Sequence, residues 1–272
     1  QGRRDFGAGL VAQRPGAAAA GPRLSSPLGL AVRLQRASVL SWTIGLGLIA
    51  FFYGIVADQA DSILEENPEM EDFFIELGQG SIVDACLSTA ALIIGLMATG
   101  FTISSVLRLR SGEMAGRVDG MLATPVTRRA VAWSHLAVAT VGTVIVMAVA
   151  GAAVGGGYAL VAGDAGEVGR NTAAGLVMVP AMLVFGAMAF ALYALSPRWS
   201  PLVWALFVWA LVAGILASVL DLPDWTLNLS PFQHVPGLPA APMSWLPIEL
   251  LLLVAGALFS ICRWDIDRRD MS

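Results

Sequence analysis

The residues of this chain that could do chemistry are few, and their spacing brings none of them together. His135 and His234 stand far apart, as do Cys86 and Cys262. A zinc site needs three or four convergent ligands, so each histidine reads as a hydrogen-bonded structural residue. All sixteen basic residues are arginine. Without lysine the chain has no phosphate-loop motif and no Schiff-base nucleophile, so it cannot hydrolyse ATP by a Walker-type site. Eight carboxylates crowd one segment, Asp58, Asp61, Glu65, Glu66, Glu69, Glu71, Asp72 and Glu76. They lack the spacing of an EF-hand loop, and a solvated acidic face is the reading, with no metal assigned. No paired carboxylates and no Ser-His set share a common depth, so no catalytic residue is named and the chain is read as a non-enzyme.

The elements that hold these residues are set by composition. Of the residues, 57% are hydrophobic and 13% charged, with a mean hydropathy of +0.73; a soluble domain carries about 25% charged residues. A bilayer core takes about 20 apolar residues in a helix, since hydrocarbon offers an open backbone no partner. Six stretches qualify: Leu40–Ala57, Ile82–Leu107, Trp133–Val161, Thr172–Leu195, Leu202–Leu220 and Trp245–Cys262. The expected fold class is therefore an all-α membrane protein with six transmembrane helices.

Arginine placement orients them, because cytoplasmic loops collect the basic residues. Arg3, Arg4, Arg14, Arg23, Arg33 and Arg36 precede the first span, and Arg108, Arg110, Arg117, Arg128 and Arg129 follow the second. Both regions belong inside, and the acidic connection between them outside. Arg198, Arg263, Arg268 and Arg269 fit the alternation, which places both termini in the cytoplasm; Arg170 is the exception, alone outside. Asp84 and Glu249 are the ionisable groups nearest the hydrocarbon, where carboxylates are functional candidates by default. Both fall within about one turn of an outer end, which favours snorkelling or a structural partner over proton coupling. Cys86 and Cys262 lie at opposite ends of their spans and cannot bridge within one chain. Gly151 to Gly157 offers a small-residue face for close helix packing.

Three connecting segments carry the remaining signal. Leu28 to Ala37 reads either as an interfacial elbow helix or as an extension of the first span. The connection 108–129 holds Glu113, Arg117 and Asp119, then Met121, Leu122, Thr124 and Pro125, with Arg128 leading into the third span. It reads as a compact cytosolic element held between two long helices, on which a soluble partner could push, or as an ordinary arginine-rich loop. The segment 221–244 has five prolines and interleaved aromatics, among them Ser230, Pro231, Phe232, His234 and Pro236. It reads as a re-entrant hairpin gating the outer end or as an interfacial loop.

Glu113-Met-Ala-Gly-Arg117, Leu122-Ala-Thr-Pro-Val-Thr-Arg128 and Trp133-Ser-His135 resemble the permease subunits of type 2 ABC exporters, in particular the actinobacterial group described as exporters of polyketide antibiotics. Ser26-Pro-Leu-Gly-Leu-Ala31 is similar to the start of the second half of such permeases, and Ser230 to Pro239 to their last external loop. The resemblance implies their fold, and a coupling helix over Glu113 to Arg128 that docks on a cytosolic ABC ATPase subunit, where ATP and magnesium would be held. It implies no cofactor in this chain and a gating role for the outer loop. It also implies a second six-helix half. Arg3-Arg4-Asp5 recurs as Arg268-Arg269-Asp270 after the sixth span, so the chain is expected to be the C-terminal half of a duplicated protein, with residues 1–27 a cytoplasmic inter-half linker and 28–272 the transmembrane domain.

The expectation is a permease component of an ATP-driven exporter of lipophilic compounds such as antibiotics or drugs, in the bacterial plasma membrane, with membrane lipids and cargo as partners and no nucleic acid. A proton-driven secondary transporter would need an ionisable residue at mid-membrane, and a scaffold without transport is the other alternative.

Overall fold

The structure, a computed structural model, describes residues 26–59, 81–114, 127–220 and 222–269, with backbone alone at 110–114, 128, 217–219 and 261–269. The described residues form helices and short connections, with no β-strand among them. Helix α1 spans Pro27–Ala57, α2 Ile82–Met114 and α3 Arg128–Ala162. Then follow α4 (Gly166–Val177), α5 (Val179–Leu195), α6 (Leu202–Leu220), the single turn α7 (Asp224–Leu227), a 3-10 turn at Pro231–His234, and α8 (Trp245–Arg269).

Local chemistry explains where the long helices begin and end. The Ser26 hydroxyl accepts from the Gly29 amide at 3.1 Å with Pro27 at the first helical position, and the Thr127 hydroxyl accepts from the Ala130 amide at 3.2 Å. Both satisfy donors that a helix start leaves open. α3 ends at Gly163, whose φ of 78° is the left-handed conformation that closes a helix cheaply only for glycine. Between α4 and α5 the ladder is interrupted at Met178, just before Pro180, which has no amide to donate. Gly166–Leu195 is nonetheless one apolar element of 30 residues, longer at its start than the span expected from Thr172.

Residues 28–37 are the opening turns of α1 rather than a separate elbow helix. Past Gly29 no proline or glycine interrupts the backbone before Gly45, and Ala31, Gln35, Leu46, Ala50, Gly54 and Ala57 are buried along one continuous face. The helical period leaves nothing to stop at residue 37.

Four elements, Pro27–Ala57, Ile82–Leu109, Arg129–Ala162 and Gly166–Leu195, are long and apolar enough to cross a membrane, while Leu202–Leu216 and Trp245–Ser260 are shorter apolar helices. This is an all-α membrane protein. Contacts between helices fix their relative directions. α1 and α3 run parallel, with Gln35 beside His135, Gly47 beside Val149 and Gly54 against Val154. α2 runs opposite to both, since Ser105 meets Gln35 and Arg108 reaches Leu34. α5 runs with α2, bringing Gly186 to Thr102 and Gly95 to Met178. Ser26, Arg108, Thr127 and Leu195 thus share one end of the bundle, called the arginine-bearing end below, and Asp84, Gly163 and Phe232 the other. α2 and α5 form the centre, with Leu87, Leu96, Phe101, Ile103, Met182 and Phe185 fully enclosed.

Candidate functional site

At the arginine-bearing end, α2 and α3 frame the connection expected to receive a partner. Glu113 lies in the last turn of α2 and Arg128 opens α3; Arg117, Asp119, Met121, Leu122, Thr124 and Pro125 fall outside the described residues. The structure therefore brings the two flanks of the element to one end of the bundle, on helices of 33 and 35 residues.

Directly behind this connection lies a polar network that the sequence reading did not assemble. Gln35 of α1 is fully buried. Its Oε1 accepts from the Ser105 hydroxyl of α2, and its Nε2 donates to Nδ1 of His135 on α3, 3.1 Å away. That geometry requires the imidazole to be unprotonated at Nδ1. Arg108 of α2 adds a hydrogen bond of 3.2 Å to the Leu34 carbonyl. Three helices are tied at one level, and one buried amide satisfies both partners. One to two helical turns further into the bundle, the Thr102 and Thr143 hydroxyls join α2 to α3 at 2.8 Å. His135, read as structural, has its partner. A signal for Gln35 existed: it stands in register with Ala31, Leu46 and Ala50 on the buried stripe, where a polar residue must find a hydrogen bond.

The opposite end is closed differently. Arg170 of α4 pairs with Asp84 of α2 at 2.7 Å and with Glu167 at 3.3 Å, and also donates to the Pro239 carbonyl at 3.4 Å. Arg170, the exception to the expected alternation, and Asp84 are thus partners, which gives Asp84 the structural role considered for it. The amide of Asn171, 3% exposed, donates to the Glu167 carbonyl and carboxylate at 3.0 Å, orienting that carboxylate.

The expected gate segment packs across this end. It contains no helical hairpin: α7 and the 3-10 turn are four residues each. Pro231 opens the 3-10 turn, and Phe232 enters the bundle, 5% exposed, stacked on Phe185 of α5 at 6.1 Å and 25°. Phe185 in turn meets Phe207 of α6 edge-on at 6.1 Å. Gly95 of α2 lies beside the inserted ring, where an added Cβ would meet Phe232 at 3.4 Å and Met178 at 3.3 Å. Ser230 is 3% exposed and its hydroxyl has no hydrogen-bond partner among the described residues. His234 Nε2 lies 3.0 Å from the Asn228 carbonyl at the surface, and the Pro236 carbonyl accepts from the Leu238 amide at 2.8 Å. Five prolines exclude a regular helix, so the segment is anchored by one aromatic ring rather than by a backbone ladder. No group of three or more His, Cys, Asp or Glu side chains that could hold a metal occurs among the described residues.

An all-helical bundle with an apolar surface, tied by hydrogen bonds centred on Gln35 at one end and capped by an inserted loop at the other, defines a polytopic membrane protein whose polar groups hold helices together. Comparison with known proteins places it. The model of the C-terminal domain of the multidrug efflux system permease Rv1217c matches residues 24–264, and the chain belongs to that family. It is 36% identical over 270 residues to the multidrug efflux system permease protein Rv1217c of Mycobacterium tuberculosis, an alignment that covers 98% of this chain and 49% of the relative. The chain thus spans about half the length of the curated relative it matches.

Proposed function

We propose that this chain is the C-terminal six-helix half of an exporter permease that moves lipophilic compounds out of a bacterial cell, driven by a cytosolic ABC ATPase subunit. Both ends of the chain then face the cytoplasm, α6 and α8 complete the set of crossings, and ATP and magnesium belong to the partner. Membership of the efflux permease family supports the cargo class, and a relative about twice as long supports a second six-helix half.

The observation that carries the mechanism is the position of the Gln35 network. A push on the 115–126 connection acts on the ends of α2 and α3, and Ser105 and His135 pass the displacement to α1 through a single buried side chain. Rigid helices of more than 30 residues carry it through the membrane. Closure of the ATPase would in this way shift α1 relative to its neighbours and change which side of the bundle is open.

The test is export in inverted vesicles containing the full permease and its ATPase. Reversing Arg117 to Glu is expected to abolish ATP-dependent drug transport while membrane insertion stays normal. Unimpaired transport by that variant removes the coupling assignment. Transport that survives ATP depletion and collapses with the proton gradient would instead establish a secondary transporter.

A further inference from the structure

At the end opposite the arginine-bearing one α1 and α3 touch backbone to backbone, and nearer the arginine-bearing end they remain in contact through side chains, with Gln35 on His135 and Val39 beside Gly142. A groove of about 510 Å³ opens there on the outside of the pair, walled by Val32, Val39 and Leu40 of α1 and by Val138, Val141 and Ile145 of α3. Arg36 is the one charged side chain that lines it. Its depth follows from helix geometry. The hydrocarbon core takes about 20 residues of a helix, and counted back from Ala57 it begins close to residue 38. Arg36 therefore stands at headgroup level, while Leu40, Val141 and Ile145 face acyl depth. Arg33, one turn away, is also exposed. Neither arginine has a carboxylate partner among the described residues, where Asp84 and Glu167 pair with Arg170.

We propose that this groove binds an anionic glycerophospholipid, with an acyl chain between α1 and α3 and the headgroup phosphate on Arg36. The charge of the rim calls for an anion, the walls call for hydrocarbon, and one molecule class supplies both at this spacing. The size agrees: the volume falls in the range of small-molecule sites, about 300–1,000 Å³. A bound lipid here covers the apolar wall that α1 and α3 share beside the Gln35 network. The site does not depend on which cargo is exported; only its assignment to the cytoplasmic leaflet rests on the orientation proposed above.

Native mass spectrometry of the full-length permease, titrated with phosphatidylglycerol or phosphatidylcholine, tests this. The wild-type protein is expected to retain phosphatidylglycerol about fivefold more tightly, the contribution of one arginine to holding a net negative headgroup, since the choline ammonium of phosphatidylcholine offsets its phosphate charge. Arg36→Gln should erase that preference and Arg36→Lys should keep it. Val141→Trp, at a position 56% exposed and so tolerant of bulk, should lower retention of both lipids. Millimolar inorganic phosphate should not displace the bound lipid; displacement would show a free-anion site and overturn the proposal. Equal retention of the two lipids, or a preference unchanged by Arg36→Gln, overturns it as well. Binding unaffected by Val141→Trp would show that protein covers the groove, either residues 1–25 or another half, and would equally sink the idea.

Discussion

α1 and α3 form one helix pair with two different halves. Toward the end opposite the arginine-bearing one, Gly54 lies against the Val154 carbonyl and Gly157 against the Phe51 carbonyl, each so close that no Cβ could be accommodated. α4 seats on the far side of α3 in the same way, with Gly151 against Asn171 and Gly155 against Glu167. Toward the arginine-bearing end the same two helices meet through side chains, Val39 beside Gly142 and Gln35 on His135, and Val32, Val138 and Val141 line an open groove along the pair. Side-chain volume sets how closely the backbones come: in lipid there is no hydrophobic drive between helices, so they approach as closely as their smallest residues permit. The tight half is locked by backbone contact. The other half is held by the hydrogen bonds of Gln35, and under the coupling proposed above it is the half that moves.

The sharpest way to break this contrast is to give the tight half a side chain. Gly157→Leu should destabilise the bundle by about 3 kcal/mol or more, since the obstacle is backbone and cannot rotate away. Gly156→Ala, next in the chain and with open space around its Cβ position, should change the midpoint of thermal denaturation little. Equal effects of the two would show that the close approach of α1 and α3 is not what holds the tight half. Phe232→Ala comes next, at about 3 kcal/mol for an enclosed aromatic ring. Its expected signature is local: proteolysis or hydrogen exchange should rise across 222–244 before the helices themselves open. Uniform loosening of the whole bundle would mean that the ring stabilises α5 and α6 rather than anchoring the loop.

Apolar length and arginine bias made the helical elements readable, because hydrocarbon tolerates few alternatives to a helix. What stayed hidden depends on which faces meet. Gly151 to Gly157 was legible as a packing face, but not that Gly157 takes α1 while Gly151 and Gly155 take α4. Asp84 and Arg170 are separated by most of α2, all of α3 and the turn after it, and only the antiparallel arrangement joins them. Phe232 was one of several aromatics in a proline-rich segment, and its selection as the anchor came from a cavity that Gly95, Phe185 and Phe207 build from three helices. Of the two readings of 28–37, the structure shows the extension of the first span: the buried stripe of α1 runs on through Ala31 and Gln35 beneath exposed arginines, which are good helix formers.

Gln35→Leu is expected to have the smallest effect on stability and the most informative one. It removes the shared partner of Ser105 and His135, at about 1–2 kcal/mol in a setting where interhelical hydrogen bonds contribute modestly. A double-mutant cycle with Ser105→Ala separates that loss from the change in shape at residue 35, and a coupling of at least about 0.5 kcal/mol is expected for groups in one network. If the grooved half is the moving half, Gln35→Leu should also weaken the link between drug transport and ATP hydrolysis in the assembled exporter, whereas Phe232→Ala lowers both together. Equal loss of coupling in the two variants would place the moving joint elsewhere. A zero coupling energy between Gln35 and Ser105 would reduce the network to a set of independent contacts and leave the grooved half held only by side-chain packing and what lies in its groove.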